Sequence, residues 1–318
     1  MALRLNRWIV WDFWLAPRIA PADSFHVFFL QAPGSISGPE DRHNLATIGH
    51  AVSSDLREWE YLGTALEPGP DGAWDDFTTW TGSTTHDGSQ WWTFYTGRNR
   101  AEGGRVQRIG AATSPDLLEW TRLDDALLVA DDRWYHTWKH HSYFPEDCRD
   151  PWVMPYDGEW LMYFTASSKM EPRDSRGVVG LARSADLHNW EHLGPLQMPR
   201  LYGEIEVPQV LNLDSHWIML FCTSQHSVRQ QLLGTSWNGS HYMVSDNPLG
   251  PFQLTTSHPL LADDTGTLYA AKIIADPWLP DPFVLAWRKW DEAGNFAGDL
   301  IDPIPLLIGP RGELSLAH

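Results

Sequence analysis

IGHAVSSDLREWEYLGTAL from Ile48, IGAATSPDLLEWTRLDDAL from Ile109 and VGLARSADLHNWEHLGPLQ from Val179 are three copies of one pattern. Each holds a short run of small and apolar residues, then S-x-D-L-x-x-W, then a second short run. Self-similarity of this kind marks a fold built from repeated supersecondary units. The Asp side chain can close a turn on its own backbone, and the Trp three residues beyond the Leu is expected to pack back over the hairpin. Strand-like runs precede the copies or stand where further copies should be: FHVFFLQ at 25–31, WWTFYTG at 91–97, EWLMYFTAS at 159–167 and HWIMLFCTS at 216–224. A weaker relative, GSHYMVSDNPLGPF, starts at Gly239, and TLYAAKIIA at 267–275 with FVLAWRKW at 283–290 makes a fifth unit. Helical periodicity is nearly absent. Five four-stranded units predict an all-β, five-bladed β-propeller, against a generic β-sandwich that would have to repeat its turns by coincidence. Composition does not shift along the chain, so residues 1–318 are read as a single domain.

The chain has 318 residues, enough for a large core, and a formal net charge of -18. That charge argues against nucleic acid and anionic membranes as partners and suits a small neutral ligand such as a sugar. Part of the Trp content, 19 residues, belongs to the repeat; the rest can offer flat faces to sugar rings. Cys148 and Cys222 give no disulfide framework, and two reduced thiols are expected. Asp12 interrupts the apolar stretch after Arg4 and Arg7, so neither a signal peptide nor a transmembrane helix is read, and a cytoplasmic location is expected.

Three acidic motifs lie in order along this frame: WDFW at 11–14, RDP at 149–151 and EIEVP at 204–208. Asp12 stands inside an apolar, strand-forming run, where an acid is costly unless hydrogen-bonded or functional; the plain alternative is a loop cap. Asp150 follows Arg149, which can orient its carboxylate, and a structural salt bridge is the plain alternative. Glu204 and Glu206 alternate, so in a strand both face one side, and like charges held close raise one pKa; here the alternative is a solvated strand face. The innermost strand of every propeller blade delivers residues to one central funnel, where acids far apart in sequence meet. Two such acids can serve as nucleophile and acid/base in glycoside hydrolysis.

Together the motifs resemble the glycoside hydrolase clan of families 32 and 68, the invertases, levanases and levansucrases. WDFW resembles the W-D-S-W nucleophile motif of family 68, and RDP is common to both families. Glu204-Ile205-Glu206 is similar to the D-E-I-E-R run of family 68, and Glu206-Val207-Pro208 to the E-C-P of family 32. Trp80-Thr81-Gly82-Ser83 matches a W-S-G-S stretch, and Asp264-Thr265-Gly266 with Leu268-Tyr269-Ala270-Ala271 resembles a D-x-G-x-x-Y-A segment. The resemblance spans roughly residues 8 to 290, with the motifs in register.

The resemblance implies Asp12 as nucleophile, Glu206 as acid/base, and Asp150 as the group that holds sugar hydroxyls and stabilises the transition state. Arg149 and Glu204 would orient the acids and the ring. Trp11, Trp14, Trp80, Ser83, Asp264 and Tyr269 complete the expected sugar-binding set. The implied reaction is retaining, on β-fructofuranosides such as sucrose, fructo-oligosaccharides or fructans, with the two carboxyls about 5–5.5 Å apart. The departures are Val207 in place of Arg or Cys, Phe13 in place of Ser, the absence of an N-D-P-N-G form, and no C-terminal β-sandwich within the 318 residues.

Two other readings compete: an inverting furanosidase like family 43, with carboxyls about 6.5–9.5 Å apart, and a sugar-binding propeller without catalysis. His136, His140 and His141 are read as a loop at the pocket rim rather than a metal site, and no cofactor is expected. Cys148 is read as packing. His86-Asp87-Gly88 and Asn238-Gly239 read as hairpin turns.

Overall fold

The computed structural model describes residues 3–138, 147–169, 175–224, 238–255 and 259–317. Strands fill it in the order the repeats predict. The first sheet is β1 (Trp8–Leu15), β2 (Phe25–Pro33), β3 (Thr47–Ser53) and β4 (Glu60–Leu66), with a 3-10 turn at Pro39–Asn44 between its second and third strands. The second is β5 (Thr78–His86), β6 (Trp91–Arg98), β7 (Gln107–Ser114), β8 (Thr121–Arg122) and β9 (Leu128–Val129), the last two both pairing β7. The third is β10 (Cys148–Tyr156), β11 (Glu159–Ser167), β12 (Gly177–Ser184) and β13 (Glu191–Pro195). The fourth is β14 (Glu206–Leu213), β15 (His216–Thr223), β16 (Asn238–Ser245) and β17 (Leu261–Asp263). The fifth is β18 (Leu268–Ile274), β19 (Phe283–Trp290), β20 (Phe296–Leu300), β21 (Ile304–Ile308) and β22 (Leu314–Leu316), with β20 pairing β19 beside the path β18-β19-β21-β22. The arrangement is a five-bladed β-propeller. Asn238-Gly239 opens β16 rather than forming a turn: Gly239 lies so close to the Leu261 carbonyl, 2.2 Å from where a Cβ would be, that β17 can pair there only with glycine.

The second strand of each blade is apolar without alternation because it is covered on both faces. Along β11, Met162 and Phe164 join the cluster shared with the second blade, while Leu161 and Tyr163 join the cluster shared with the fourth. Along β15 the same division holds, with Met219 and Phe221 on one side and Ile218 and Leu220 on the other. The core is therefore a series of slabs between neighbouring sheets, and doubly covered strands read as continuous hydrophobic runs.

The S-x-D-L turn works as its chemistry suggests. Asp55, Asp116 and Asp186 accept the backbone N–H groups two and three residues on at 2.7–3.2 Å. The following Leu56, Leu117 and Leu187 adopt φ of 61°, 69° and 64° and bury their side chains. The Trp190 indole N–H donates back to the Leu187 carbonyl of its own turn at 3.0 Å, and the Trp also reaches the preceding blade: Trp120 stands edge-on to Phe28 of β2, and Trp190 edge-on to Phe94 of β6. The repeat thus encodes blade-to-blade contact as well as the hairpin.

Every inner strand carries a β-bulge at the same level. Register shifts fall at Trp11/Phe13, Trp80/Gly82, Arg149/Trp152, Glu206/Gln209 and Tyr269/Lys272. Four of these bulges place a non-glycine residue at positive φ: Asp12 (20°), Asp150 (56°), Val207 (52°) and Ala270 (49°). Bulges re-aim side chains next to active sites, and conformations this rare persist only where surroundings enforce them.

Among the described residues no sheet takes strands from both chain ends. The ring closes between fifth and first blades through the Leu300 N–H donating to the Leu3 carbonyl at 3.2 Å. Arg18 adds a two-pronged ion pair to Asp276 at 2.7 and 2.8 Å, and Arg42 stacks over Trp287.

Candidate active site

The bulges free backbone N–H groups from the ladders, and side chains of the preceding blade accept them. Asp150 N–H donates to Thr96 Oγ1 at 2.9 Å, Val207 N–H to Asp150 Oδ2 at 3.1 Å, and Ala270 N–H to Cys222 Sγ at 3.0 Å. This relay carries the inner strands past one another in register around the axis. It also brings Asp12, Asp150 and Glu206 into one electrostatic cluster, in which burial and the other two carboxylates act on Asp12.

Each carboxylate is held by named donors. Thr81 Oγ1 donates to Asp12 Oδ2 at 2.7 Å. Asp150 is 5% exposed, and its Oδ2 also accepts from Thr165 Oγ1 at 3.0 Å. The Arg149 Nη2 donates to Glu206 Oε1 at 2.9 Å and to Glu204 Oε1 at 2.7 Å, and Nη1 to Asp147 Oδ1. Tyr269 OH donates to Glu206 Oε2 at 2.7 Å, so both oxygens of Glu206 are oriented. Glu204 reaches Arg149 from the segment before β14, and not by strand alternation. Its backbone lies against Gly177, where a Cβ would come within 2.6–2.8 Å of three Glu204 backbone atoms, and its carbonyl accepts from Thr223 Oγ1 at 2.9 Å.

The electrostatics follow from confinement. Burial first, then Asp150, push Asp12 up to about 7, against the Thr81 hydrogen bond that lowers it. Burial also raises Asp150, with Arg149 opposing. Glu206 beside it, then burial, push Glu204 to about 7. Glu204 therefore keeps a proton into the neutral range. Burial works against the Arg149 charge, but the carboxylates of Asp147, Glu206, Glu204 and Asp150 outweigh it and hold the guanidinium protonated. Such an assembly offers an ionisable nucleophile, a retained proton and a fixed cation in one place.

Trp11 and Trp80 form a wall with His43, whose ring meets theirs edge-on at 6.3 and 5.8 Å. The Trp80 indole N–H donates to the His43 carbonyl at 2.8 Å, and Arg98 lies 4.2 Å over its ring. Trp14 and Ser83 are placed elsewhere. Trp14 is fully buried, stacked on Phe28, with its N–H donating to Thr84 Oγ1 at 2.9 Å. Ser83 accepts the Val153 N–H at 3.0 Å. The bulges at Phe13 and Gly82 reset the alternation, so these two point away from the acids. Asp264 is exposed in the turn before β18, its carbonyl accepting from Asn238 Nδ2 at 2.7 Å. His136 is half-buried, whereas His140 and His141 lie outside the described residues. Cys148 and Cys222 are buried free thiols.

Sequence reasoning did not single out Thr81, Asp147, Thr165 or Lys272. Thr81 sat inside the quoted W-T-G-S stretch. Lys272 carried its own signal, a lone charge in the apolar run YAAKIIA, which is costly without a purpose.

Comparison with known proteins gives three convergent findings. The model of the glycosyl hydrolases family 32 N-terminal domain matches residues 19–297, beginning just after the Asp12 motif. A beta-fructofuranosidase, insoluble isoenzyme 5, from Oryza sativa is 30% identical over 182 residues, covering 54% of this chain and 30% of its own length. A sucrose-6-phosphate hydrolase from Salmonella typhimurium is 26% identical over 208 residues, covering 63% and 40% respectively. The chain thus spans less than half the length of these curated relatives. An inulosucrase from Halalkalicoccus jeotgali, solved with kestose bound, superposes with a TM-score of 0.82 at 20% identity, over 98% of this chain and 87% of its own. With the family model covering most of its length and the same propeller underneath, the chain belongs to glycosyl hydrolase family 32.

Proposed function

We propose that this chain cleaves or transfers β-fructofuranosyl units by a retaining double displacement through a fructosyl intermediate on Asp12. The observation that carries the reading is the meeting of Asp12, Asp150 and Glu206 at one level of the propeller axis, with Arg149 and Tyr269 fixing both oxygens of Glu206. The names of the relatives agree: beta-fructofuranosidase, sucrose-6-phosphate hydrolase, and an inulosucrase with kestose bound.

In the first step an Asp12 oxygen attacks the anomeric carbon while the glycosidic bond breaks. Its electron pair stays with the leaving oxygen, which takes a proton from Glu206. In the second, water or a sugar hydroxyl attacks the same carbon, gives its proton to Glu206, and releases Asp12. Asp150, locked by Thr165 and the Val207 N–H, stays in place to hold sugar hydroxyls and to face the developing positive charge. Water as acceptor gives hydrolysis and a sugar hydroxyl gives transfer; hydrolysis is the favoured outcome because nothing among the described residues selects against water.

The test is fructose and glucose release from sucrose by the wild type, Asp12→Ala and Glu206→Ala. Release by the wild type and loss of at least about 10³-fold in both variants supports the reading. Glucose in excess of fructose adds transfer. Release that survives either substitution overturns the assigned roles, and no release from sucrose, fructo-oligosaccharides or fructans overturns the substrate class.

A further inference from the structure

Lys272 is 3% exposed and lies on β18, one residue beyond the Ala270-Ala271 pair of the fifth bulge. Its Nζ donates to the Val207 carbonyl at 3.1 Å and stands 5.5 Å from the centre of the Trp152 ring. Val207 is the left-handed residue of the fourth bulge, directly after Glu206, and its N–H is the one that donates to Asp150 Oδ2. A β-branched residue at φ 52° is strained by its own side chain. One peptide neighbourhood thus links a buried ammonium on one side to a catalytic carboxylate on the other.

The ammonium also marks a boundary along the axis. A cavity of about 260 Å³ opens among the later residues of the inner strands, among them Trp14, Thr85, Met154 and Leu211, with Lys272 in its lining. The acids occupy earlier positions on those same strands. Lys272 therefore stands between the acid cluster and the far cavity.

We propose that Lys272 is a positioning residue: it holds the Val207 bulge that turns Glu206 into the funnel and supplies a positive charge behind Asp12 and Asp150. The inference rests on the proposed fructosyl chemistry for its kinetic consequence, and on the Lys272–Val207–Asp150 hydrogen bonds for the placement of the charge. The charged and titratable groups facing this ammonium are Asp12 on β1, Asp150 on β10 and Cys222 on β15. Arg149 and Glu206 stand one bond further, through Asp150 and Val207. Burial lowers Lys272 to about 8, while Cys222, Asp150 and Asp12 oppose that fall. The group is charged at neutral pH and loses its charge above about pH 8. Coupling is reciprocal, so a cation that favours the ionised carboxylates is itself kept protonated by them.

Two measurements test this. In Lys272→Met, which keeps the chain length and removes charge and donor, kcat on sucrose should fall about 10- to 100-fold with KM within about threefold. The acidic limb of the pH–rate profile should move up by about one unit. An unchanged profile, or a fall in kcat with the limbs in place, overturns the proposal. The second measurement needs no activity and no Lys272 variant. The chain has four lysines, at 139, 169, 272 and 289, so ¹³Cε-lysine labelling gives a spectrum simple enough to titrate. The buried lysine should titrate near pH 8, and its midpoint should drop by at least half a unit in Asp12→Asn. A midpoint unmoved by that substitution overturns the coupling, whether or not any fructoside is turned over.

Discussion

Thr81 on the second blade donates its hydroxyl to Asp12 on the first, 2.7 Å away, and so favours the ionised form of that carboxyl from a neighbouring sheet. A donor to a carboxylate favours the ionised form, and burial has already pushed Asp12 to about 7. Thr81→Val keeps the shape and removes the donor, so Asp12 should hold its proton to still higher pH. The acidic limb of kcat/KM on sucrose is expected to rise by about one unit, with the plateau rate reduced far less. A profile superimposable on the wild type would show that this hydroxyl is silent.

Arg149 reaches Glu204 and Glu206 with one nitrogen and Asp147 with another, a fork that an ammonium cannot reproduce. In Arg149→Lys the charge survives and the geometry does not. Steady-state kinetics on sucrose should show kcat down about 10²-fold and KM changed much less. A change confined to KM would mean that the guanidinium binds substrate rather than orienting the acids.

Tyr269 is held protonated by burial and by the Glu206 carboxylate, well above the usual phenol range. It is therefore a constant donor across the working pH range. Tyr269→Phe should lower kcat on sucrose by about tenfold with KM changed much less, since the lost bond orients Glu206. An unchanged kcat would show that the second oxygen of Glu206 needs no clasp.

Asp12 also burdens the fold. A carboxyl raised on folding costs nothing below its unfolded pKa of 3.8 and its full penalty above the folded value of about 7. Stability from this group therefore declines as pH rises through that window. Asp12→Asn should raise Tm by roughly 2–6 °C at pH 8 and leave it nearly unchanged at pH 4. Thermal unfolding at the two pH values decides it, and an equal shift at both would assign the gain to packing.

Much of the fold was legible because the S-x-D-L-x-x-W turn is local chemistry: one Asp side chain satisfies its own backbone, and the same residues recur three times. The doubly buried second strands were legible as unbroken apolar runs. Asp12, Asp150 and Glu206 stood out because acids in apolar or Arg-flanked settings need a reason. What sequence could not supply was parity. Strand alternation groups Trp14 with Asp12 and puts Ser83 on the same face as Thr81, but each inner strand gains a residue at its bulge and the sides exchange. Thr81, not Ser83, consequently meets Asp12. The meeting of Glu204 with Arg149 depends on the close approach to Gly177, a contact between segments 27 residues apart, counted from 177 to 204. The hand-off of freed N–H groups from blade to blade is likewise a property of the assembled ring.

The seam between the fifth and first blades differs in kind from the sheets around it. Inside a blade, strands are stitched by ladders of backbone hydrogen bonds; across the seam stand the Arg18–Asp276 pair, the Leu3–Leu300 bond and stacked side chains. The ring is thus buttoned rather than sewn at this point, with Leu285, Trp287 and Leu300 packed into the core of the first blade. Asp12 sits on one side of that closure and Tyr269 on the other, so the distance from Asp12 to the clasp on Glu206 is set by side-chain packing and not by a shared sheet.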